Sequence, residues 1–328
     1  MRFFGEFIAL ATAVSWAFSS LFFEFAGKRI GSISVNMIRL LSAFIMLGTT
    51  LWIITGMAIP LNAGKEAWTW MSLSGLVGFV FGDLVLFYSF ILISARFSQL
   101  LMTLAPPFAA LFGWILIGEK MSPFGYLGMA VTILGIAISV FKRDDTPVAV
   151  KGISNTDTYT DNGKKGKIKL HLPLKGVLLG LGGALGQGLG IVLSKLGMTA
   201  YAQDVAGDEH ALSMIPIAAT QIRVITGVIG FALIILFSGR VKSFVKAAHD
   251  RRAVGATLVG AIFGPFVGVS LSLMAVQYTN TAVASTIMAT TPIIILLPYI
   301  FFYKKRISAI EIFGAILSVI GVSLFFLA

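Results

Sequence analysis

Residues 122–141 read SPFGYLGMAVTILGIAISVF, twenty mostly apolar residues without a charge. The hydrocarbon core of a bilayer is about 30 Å thick, and a helix needs roughly 20 apolar residues to cross it. This stretch therefore predicts a transmembrane helix, and nine similar stretches lie elsewhere in the chain. They are residues 5–25, 33–55, 69–93, 97–117, 174–196, 214–237, 253–276, 281–303 and 307–327. The predicted fold class is an all-α membrane protein with ten transmembrane helices.

The composition of the 328-residue chain excludes several other classes of protein. Hydrophobic residues make up 57% of the chain and charged residues 12%, whereas about a quarter of a soluble domain is charged. A soluble domain and a disordered chain are therefore both excluded. The absence of cysteine excludes disulfides, Cys-ligated metals and thiol chemistry. Since His171, His210 and His249 fall in predicted loops without partners at ligand spacing, we expect neither metal nor cofactor.

The net charge of +11 is distributed unevenly among the predicted loops. Nineteen of the 25 lysines and arginines follow the first, third, fifth, seventh and ninth predicted helices. Loops rich in Lys and Arg stay in the cytoplasm. This predicts a multi-pass protein of the cell membrane with both termini outside and the polar segment 142–173 in the cytoplasm. Because the basic residues are scattered over five loops, nucleic acid is not an expected partner.

The opening stretch recurs 186 positions later as SAIEIFGAILSVIGVSLFFL, residues 308–327. The same shift lays residues 73–141 on 259–327 without a gap. It pairs Gly78 with Gly264, Gly82 with Gly268, Pro106 with Pro292, Gly128 with Gly314, and Gly135 with Gly321. Because the unit has five helices, an odd number, its second copy must enter the membrane from the opposite side. We predict two five-helix inverted-topology repeats, 1–141 and 174–328, joined by a polar linker over 142–173, an architecture that recurs in secondary transporters.

A motif around two prolines gives a second signal. Leu104-Ala105-Pro106-Pro107 is followed by Gly118-Glu119-Lys120-Met121-Ser122 and by the glycines at 128 and 135. This segment resembles the closing pattern of the EamA domain, and Tyr278-Thr279 with Pro292 is similar in the second half. The resemblance implies a ten-helix transporter of the drug/metabolite transporter superfamily. Lys304-Lys305 stands where a second Gly-Glu would be, so a role for Glu119 need not be mirrored.

Asp83 is predicted near the middle of the third transmembrane helix. A charge at that depth is costly and marks a functional hypothesis. A carboxyl group that takes up a proton on one side and releases it on the other would couple transport to protons, and a carboxylate would also attract a substrate amino group. A structural hydrogen bond or ion pair is the alternative. The repeat equivalent of Asp83 is Val269, so the predicted site is asymmetric.

Four further charges lie within or beside the predicted spans. Arg39 and Arg223 correspond under a shift of 184 positions, and this duplication favours a gating or structural role over substrate contact. Glu24 closes the first predicted helix and is the expected partner of Arg39. Lys195, the repeat equivalent of Glu24, is expected to cap a helix or snorkel to the outer face.

Prolines interrupt matching predicted helices. Pro106 and Pro107 lie near the centre of the fourth helix, Pro292 near that of the ninth, and Pro265 within the eighth. Each frees a backbone carbonyl, and paired interruptions indicate a transport site, with a packing kink as the alternative. The side chains expected to complete the cavity are Trp16, Ser19, Gln187, Thr286 and Thr290.

These predictions favour a secondary active transporter over an enzyme. The expected cargo is a small metabolite, such as an amino acid or a similar polar or amphipathic solute. We expect export by alternating access, with proton coupling through Asp83 as one mode and uptake as the alternative direction. An intramembrane transferase is disfavoured because no histidine lies in a span. The expected partners are the solute, the lipid bilayer and protons, and small-residue stripes on the fifth and tenth helices pack either within the monomer or across a homodimer.

Overall fold

The computed structural model describes residues 4–118, 123–143, 168–170, 172–269, 271–272, 275, 287–301, 304 and 307–326. Most of them are helical. The first half contains α1 (Phe4–Thr55), α2 (Lys65–Ser74), the π-helical segment π1 (Gly75–Gly82), α3 (Asp83–Met102), α4 (Ala105–Ile117) and α5 (Pro123–Val140). The second half contains α6 (Leu174–Asp204), α7 (Glu209–Phe237), α8 (Val241–Ala248), α9 (Arg251–Ala261), π2 (Ile262–Gly268), α10 (Thr291–Ile294), α11 (Leu296–Phe301) and α12 (Ala309–Phe326).

Two short strands are an exception to the helical architecture and were not anticipated. Strand β1 (Phe141–Arg143) follows α5 directly and pairs with β2 (Ile168–Leu170) in an antiparallel ribbon. Phe141 lies opposite Leu170 in this pairing. The ribbon brings together the two ends of the predicted linker. Most of that linker, together with Glu119, His171 and Thr286, lies outside the described residues.

Five helical stretches are long and apolar enough to cross a membrane. They are Phe4–Thr55, Lys65–Met102, Pro123–Val140, Leu174–Asp204 and Glu209–Phe237, and shorter apolar helices span Ala105–Ile117, Thr291–Phe301 and Ala309–Leu324. Large apolar side chains on their surfaces, such as Ile45, Trp52 and Trp114, are more than half exposed. Exposed apolar surface of this extent suits contact with lipid rather than water.

Two of the long helices are each divided by one residue with non-helical backbone angles. Gly31 (φ 78°, ψ 159°) interrupts α1, and Ser94 (φ 70°, ψ 160°) interrupts α3. Glycine adopts a positive φ without a steric penalty, whereas serine does not. Both interruptions fall in the gaps between consecutive predicted spans. Helix α1 therefore contains two of the apolar runs found in the sequence, 5–25 and 33–55, whereas α3 contains the end of run 69–93 and the start of run 97–117.

The two π-helical segments lie at corresponding positions of the two halves, because π1 overlaps π2 when shifted by 186. Helix α6 packs against π1 and α3, and α1 packs against α9 and π2. Near π1, Ser74 Oγ donates to the Gly190 carbonyl oxygen at 2.6 Å. Near π2, Ser19 Oγ donates to the Gly260 carbonyl oxygen at 2.9 Å. Ser74 corresponds to Gly260 under the shift of 186, and Ser19 corresponds to Gly190 under the shift of 171 that also pairs Glu24 with Lys195. The same contact is therefore made in both halves, with donor and acceptor exchanged.

Helices α5 and α12 pack closely through glycines. A Cβ atom on Gly135 would lie 2.6 Å from the Gly314 carbonyl oxygen, and one on Gly321 would lie 2.7 Å from the Gly128 carbonyl oxygen. These two contacts are equivalent under the shift of 186. Small residues allow helix backbones to approach this closely in membranes. The two small-residue stripes therefore pack against each other within one chain.

Candidate functional site

Asp83 is the first residue of α3 and directly follows π1. Its backbone N–H donates to the Gly78 carbonyl oxygen, five residues earlier, which is the π-helical pattern. The residue is only 4% exposed. The carboxylate of Asp83 thus lies in the interior of the bundle, at the end of a local widening of the helix.

Both carboxylate oxygens of Asp83 have polar partners. Arg39 Nη2 lies 2.5 Å from Oδ2, and Gln187 Nε2 donates to Oδ1 at 2.7 Å. Gln187 Nε2 also donates to the Gly78 carbonyl oxygen at 3.3 Å. Asn36 Nδ2 donates to the backbone carbonyl oxygen of Asp83 at 3.3 Å. A buried carboxylate is tolerated when it is paired and hydrogen-bonded in this way.

Arg223 lies close to this pair, on α7. Its guanidinium carbon is 4.4 Å from the ring centre of Phe79, and that of Arg39 is 5.8 Å from the same ring. Arg223 also interacts electrostatically with Asp83. We call Asp83, Arg39, Arg223 and Gln187 the central charge cluster. It contains two positive charges and one negative charge inside the helical bundle.

The expected pairing of Glu24 with Arg39 is wrong, because Arg39 pairs with Asp83. Glu24 is buried and accepts the backbone N–H of Ala95 at 2.8 Å. It also binds the Lys28 ammonium and accepts the Tyr299 hydroxyl. The interruption at Ser94 exposes the Ala95 N–H at a new helix start, and a carboxylate is favourable there. Glu24 thus joins α1, α3 and α11, whereas its repeat equivalent Lys195 is exposed.

A second ion pair joins α3 to α12 and was missed from the sequence. Arg96 Nη1 lies 3.2 Å from Glu311 Oε2, and both side chains are about 15% exposed or less. The Arg96 guanidinium carbon also lies 4.4 Å from the ring centre of Phe97 and 5.6 Å from that of Tyr299. Arg96 falls between the predicted spans 69–93 and 97–117, so the sequence gives no indication of its apolar and aromatic neighbours.

Of the predicted cavity side chains that the structure describes, Gln187 contacts Asp83, and Trp16, Ser19 and Thr290 contact other groups. Ser19 is bonded to Gly260, as described above. Trp16 packs on π2, where a Cβ atom on Gly268 would lie 2.6 Å from its Cδ1. Thr290 Oγ1 donates to the Ile287 carbonyl oxygen at 2.6 Å.

Three of the four prolines predicted to interrupt helices lie at helix starts rather than in mid-helix. Pro106 and Pro107 are in the first turn of α4, and Pro292 is in the first turn of α10. Proline fits there because the first helical N–H groups have no intrahelical acceptor. Carbonyl oxygens before both starts are occupied by threonine hydroxyls, as in the 2.7 Å bond from Thr103 to Leu100. Pro265 lies inside π2.

Two clefts flank the central charge cluster along α1 and α7. A cleft of about 180 Å³ includes Leu51 and Ala218, and a cleft of about 50 Å³ includes Ser34 and Ile235. Neither is lined by Asp83 or the two arginines.

Arg39 and Arg223 lie at different distances along their helices from the two clefts. Arg39 is five residues from Ser34 and twelve from Leu51, whereas Arg223 is five residues from Ala218 and twelve from Ile235. At about 1.5 Å per helical residue, these separations correspond to roughly 7.5 and 18 Å. Each arginine is therefore nearer to a different cleft.

Long apolar helices, lipid-suited surfaces and a paired charge cluster in the interior define a multi-pass membrane protein. The model of the EamA-like transporter family matches residues 3–141 and 174–327. The chain belongs to this family, and it is accordingly a membrane transporter of the drug/metabolite type, with a small-molecule solute and membrane lipid as partners. This confirms the family resemblance found in the sequence. Members of this family are transporters rather than enzymes.

Comparison with individual proteins defines the fold only. No curated protein matches the chain, whereas 25 chains of solved structures do. One of them, titled "Crystal structure of protein", is 14% identical with a TM-score of 0.53. That match covers 99% of this chain and 96% of the solved one. At this identity it supports a shared fold over the full length and carries no information about the solute.

Proposed function

We propose that this protein is a secondary active transporter that exports small polar or amphipathic metabolites, such as amino acids, by alternating access. The observation that carries the proposal is the central charge cluster, which lies between two clefts that do not reach it. In alternating access, a site at mid-depth opens to one side and then to the other. The two clefts are the natural starting points of those openings.

The proposal includes ten spans arranged as two five-helix repeats of opposite orientation. The matched π-helical segments and the reciprocal serine bonds support it, because equivalent residues make equivalent contacts in both halves. The opposite placement of the two arginines supports it as well, since an inverted repeat interchanges the two sides of the membrane. The units proposed are residues 1–141 and 174–328, with 142–173 as the linker.

We assign a coupling role to Asp83 through its bond to Arg39. When Asp83 is ionised, its Oδ2 holds the Arg39 guanidinium, and the two charges cancel. When Asp83 takes up a proton, that attraction is lost and Arg39 is free to separate from α3. A proton gradient would thereby act on the packing of α1 against α3. An exclusively structural ion pair is the alternative reading of the same contact.

Counterflow in proteoliposomes tests the transport function. Vesicles preloaded with a mixture of unlabelled metabolites should accumulate those labelled solutes that the protein carries. We expect Asp83→Asn to abolish the response to an imposed pH gradient, whereas the exposed control Glu66→Gln should transport as the wild type does. Full, pH-dependent transport by Asp83→Asn would contradict the coupling role. Absence of counterflow for every solute would contradict transport itself.

We propose from the nineteen basic loop residues that both termini lie outside the cell membrane and the linker in the cytoplasm. A cysteine introduced at position 155 tests this directly, because the chain has no other cysteine. We expect an impermeant thiol reagent to label it in inverted vesicles and not in intact cells. Labelling in intact cells would reverse the proposed sidedness.

Uptake in place of export is the second candidate, since an inverted repeat serves either direction. The direction of net flux in oriented vesicles under an imposed gradient separates the two. An intramembrane transferase is not proposed, because the family consists of transporters.

A further inference from the structure

We infer that the solute carries an anionic group, a carboxylate or a similar monoanion, and that the Arg223 guanidinium binds it. The inference rests on the proposed transport function and adds the chemical class of its cargo. It assigns Arg223 a substrate-binding role, whereas the duplication alone had favoured a gating or structural one.

Charge balance is the first argument. Arg39 and Gln187 occupy the two carboxylate oxygens of Asp83. Among the described residues, no Asp or Glu oxygen lies within 4.0 Å of Arg223, and its Nε atom has no hydrogen-bond partner. A guanidinium inside a membrane protein is costly without a counter-ion. An anion beside Arg223 would remove the one unbalanced charge of the central charge cluster.

The comparison of the two repeats points to the same group. Arg39 and Arg223 occupy equivalent positions, and Arg39 is balanced by Asp83 from its own half. The position in the second half that corresponds to Asp83 is Val269. The first half therefore supplies both charges of the pair, and the second half supplies the arginine alone. A solute carboxylate would take the part that Asp83 plays in the first half.

The surroundings of Arg223 fix the orientation of its guanidinium. The ring of Phe79, 4.4 Å from the guanidinium carbon, holds the plane of the group by stacking. A Cβ atom on Gly78 would lie 3.1 Å from Arg223 Nη2, so the missing side chain at Gly78 makes room for the guanidinium beside π1. Arg223 is half-buried. A planar, oriented fork of N–H donors suits two-point binding of a carboxylate.

The route to Arg223 starts from the larger cleft. Ala218 lines that cleft and lies five residues before Arg223 on α7, about 7.5 Å along the helix axis. The larger cleft is also lined by the hydroxyl-bearing Thr55 and the exposed His210. A solute that enters from this side therefore comes to Arg223 before it comes to Arg39. With the proposed sidedness, this is the outer face, where an exported solute leaves.

The test compares an acid with its own amide, using leucine against leucinamide. Each compound is tested for thermal stabilisation of the purified wild-type protein in detergent and for counterflow in proteoliposomes. We expect at least about tenfold preference for the free acid. Arg223→Gln should remove this preference, Arg223→Lys should retain part of it, and the exposed Arg251→Gln should leave it unchanged. The thermal unfolding of each variant without ligand reports whether it is folded.

The outcomes separate the inference from the function on which it rests. Counterflow that favours neutral or cationic solutes, with the same selectivity in Arg223→Gln, would overturn the anion site and leave transport standing. Acid-specific stabilisation that Arg223→Gln abolishes, without counterflow of any solute, would retain the anion site and refute transport. If no acid stabilises or is carried by the wild type, the anion site is refuted as well.

Discussion

Arg39 and Arg223 occupy equivalent places in the two halves and differ in their electrostatic surroundings. Arg39 contacts the Asp83 carboxylate at 2.5 Å, whereas among the described residues no Asp or Glu oxygen lies within 4.0 Å of Arg223, whose guanidinium stacks on the Phe79 ring. The helices around both positions repeat closely, down to the π-helical segments. The two halves therefore share their helix packing but differ in the charged residues around the equivalent arginines. Function is therefore to be sought where the repetition fails.

The largest expected effect is a difference in the free energy of unfolding between variants of Arg39 and variants of Arg223. Arg39→Gln leaves the buried Asp83 without its cation, and loss of one partner of a buried pair costs about 3–5 kcal/mol. Arg223→Gln should cost less, because no described carboxylate lies within 4.0 Å of Arg223. The measurement is thermal or denaturant unfolding in detergent. The double variant Asp83→Asn with Arg39→Gln should recover part of the loss, and equal losses for the two arginines would abolish the distinction.

The next prediction concerns the contact between α5 and α12, to which both halves contribute equivalent glycines. A methyl group at Gly135 or Gly321 would meet a backbone oxygen of the opposite helix at 2.6 or 2.7 Å. Such overpacking typically costs about 1–3 kcal/mol. Gly135→Ala and Gly321→Ala should therefore destabilise to the same degree. Gly255→Ala is the control, since nothing lies within 4 Å of its Cβ position. Unequal losses at the two glycines would mean that the contact is not shared evenly.

Smaller effects are expected at the exchanged serine bonds. Ser19→Ala and Ser74→Ala each remove a hydroxyl that donates to a carbonyl of a neighbouring helix. Interhelical hydrogen bonds in membranes contribute about 0.6 kcal/mol on average. Both variants should lower the unfolding temperature slightly and by similar amounts. A large loss at Ser19 alone would indicate a role beyond packing, such as the cavity role predicted from the sequence.

The smallest effect is expected at an exposed ion pair, which contrasts with the buried one. Arg29 Nη2 lies 2.9 Å from Asp250 Oδ2 and links α1 to α9. The Ala253 N–H and then Arg29 hold the pKa of Asp250 below its ordinary value. A lowered pKa stabilises the folded protein above the unfolded-state pKa, and this stabilisation is lost as the pH falls through the folded value. Wild type and Asp250→Asn should thus differ slightly in unfolding temperature at pH 7 and converge below pH 3.8.

The membrane class and the family were predictable because they depend on composition and on matched positions. Apolar runs such as 122–141 are sufficient to predict the membrane class. The spacing of glycines and prolines is sufficient to predict the family. Asn36 was missed, although its place three residues before Arg39 puts both on one helix face. That spacing was the available signal for a polar cluster at this level of α1.

Other features of the site depend on backbone geometry that leaves no clear trace in the sequence. Glu24 was assigned to Arg39 on proximity along the helices, yet the interruption at Ser94 creates an N–H acceptor site for it at Ala95. A serine with positive φ is uncommon and is not signalled by its neighbours. The π-helical segment before Asp83 likewise has no periodicity of its own over eight residues. These local deviations decide which charges meet.

The contact between α5 and α12 is self-complementary, because the approach of Gly135 to Gly314 is repeated with the roles exchanged at Gly321 and Gly128. Two identical subunits related by a two-fold axis form interfaces of this isologous kind. Because α5 and α12 belong to one chain, the covalent connection between the two halves raises the effective concentration of one helix surface for the other. The surface of α5 is then covered by α12 of the same chain, and the sequence of one half can change without the same change in the other half. Asp83 opposite Val269 is the difference that such freedom permits.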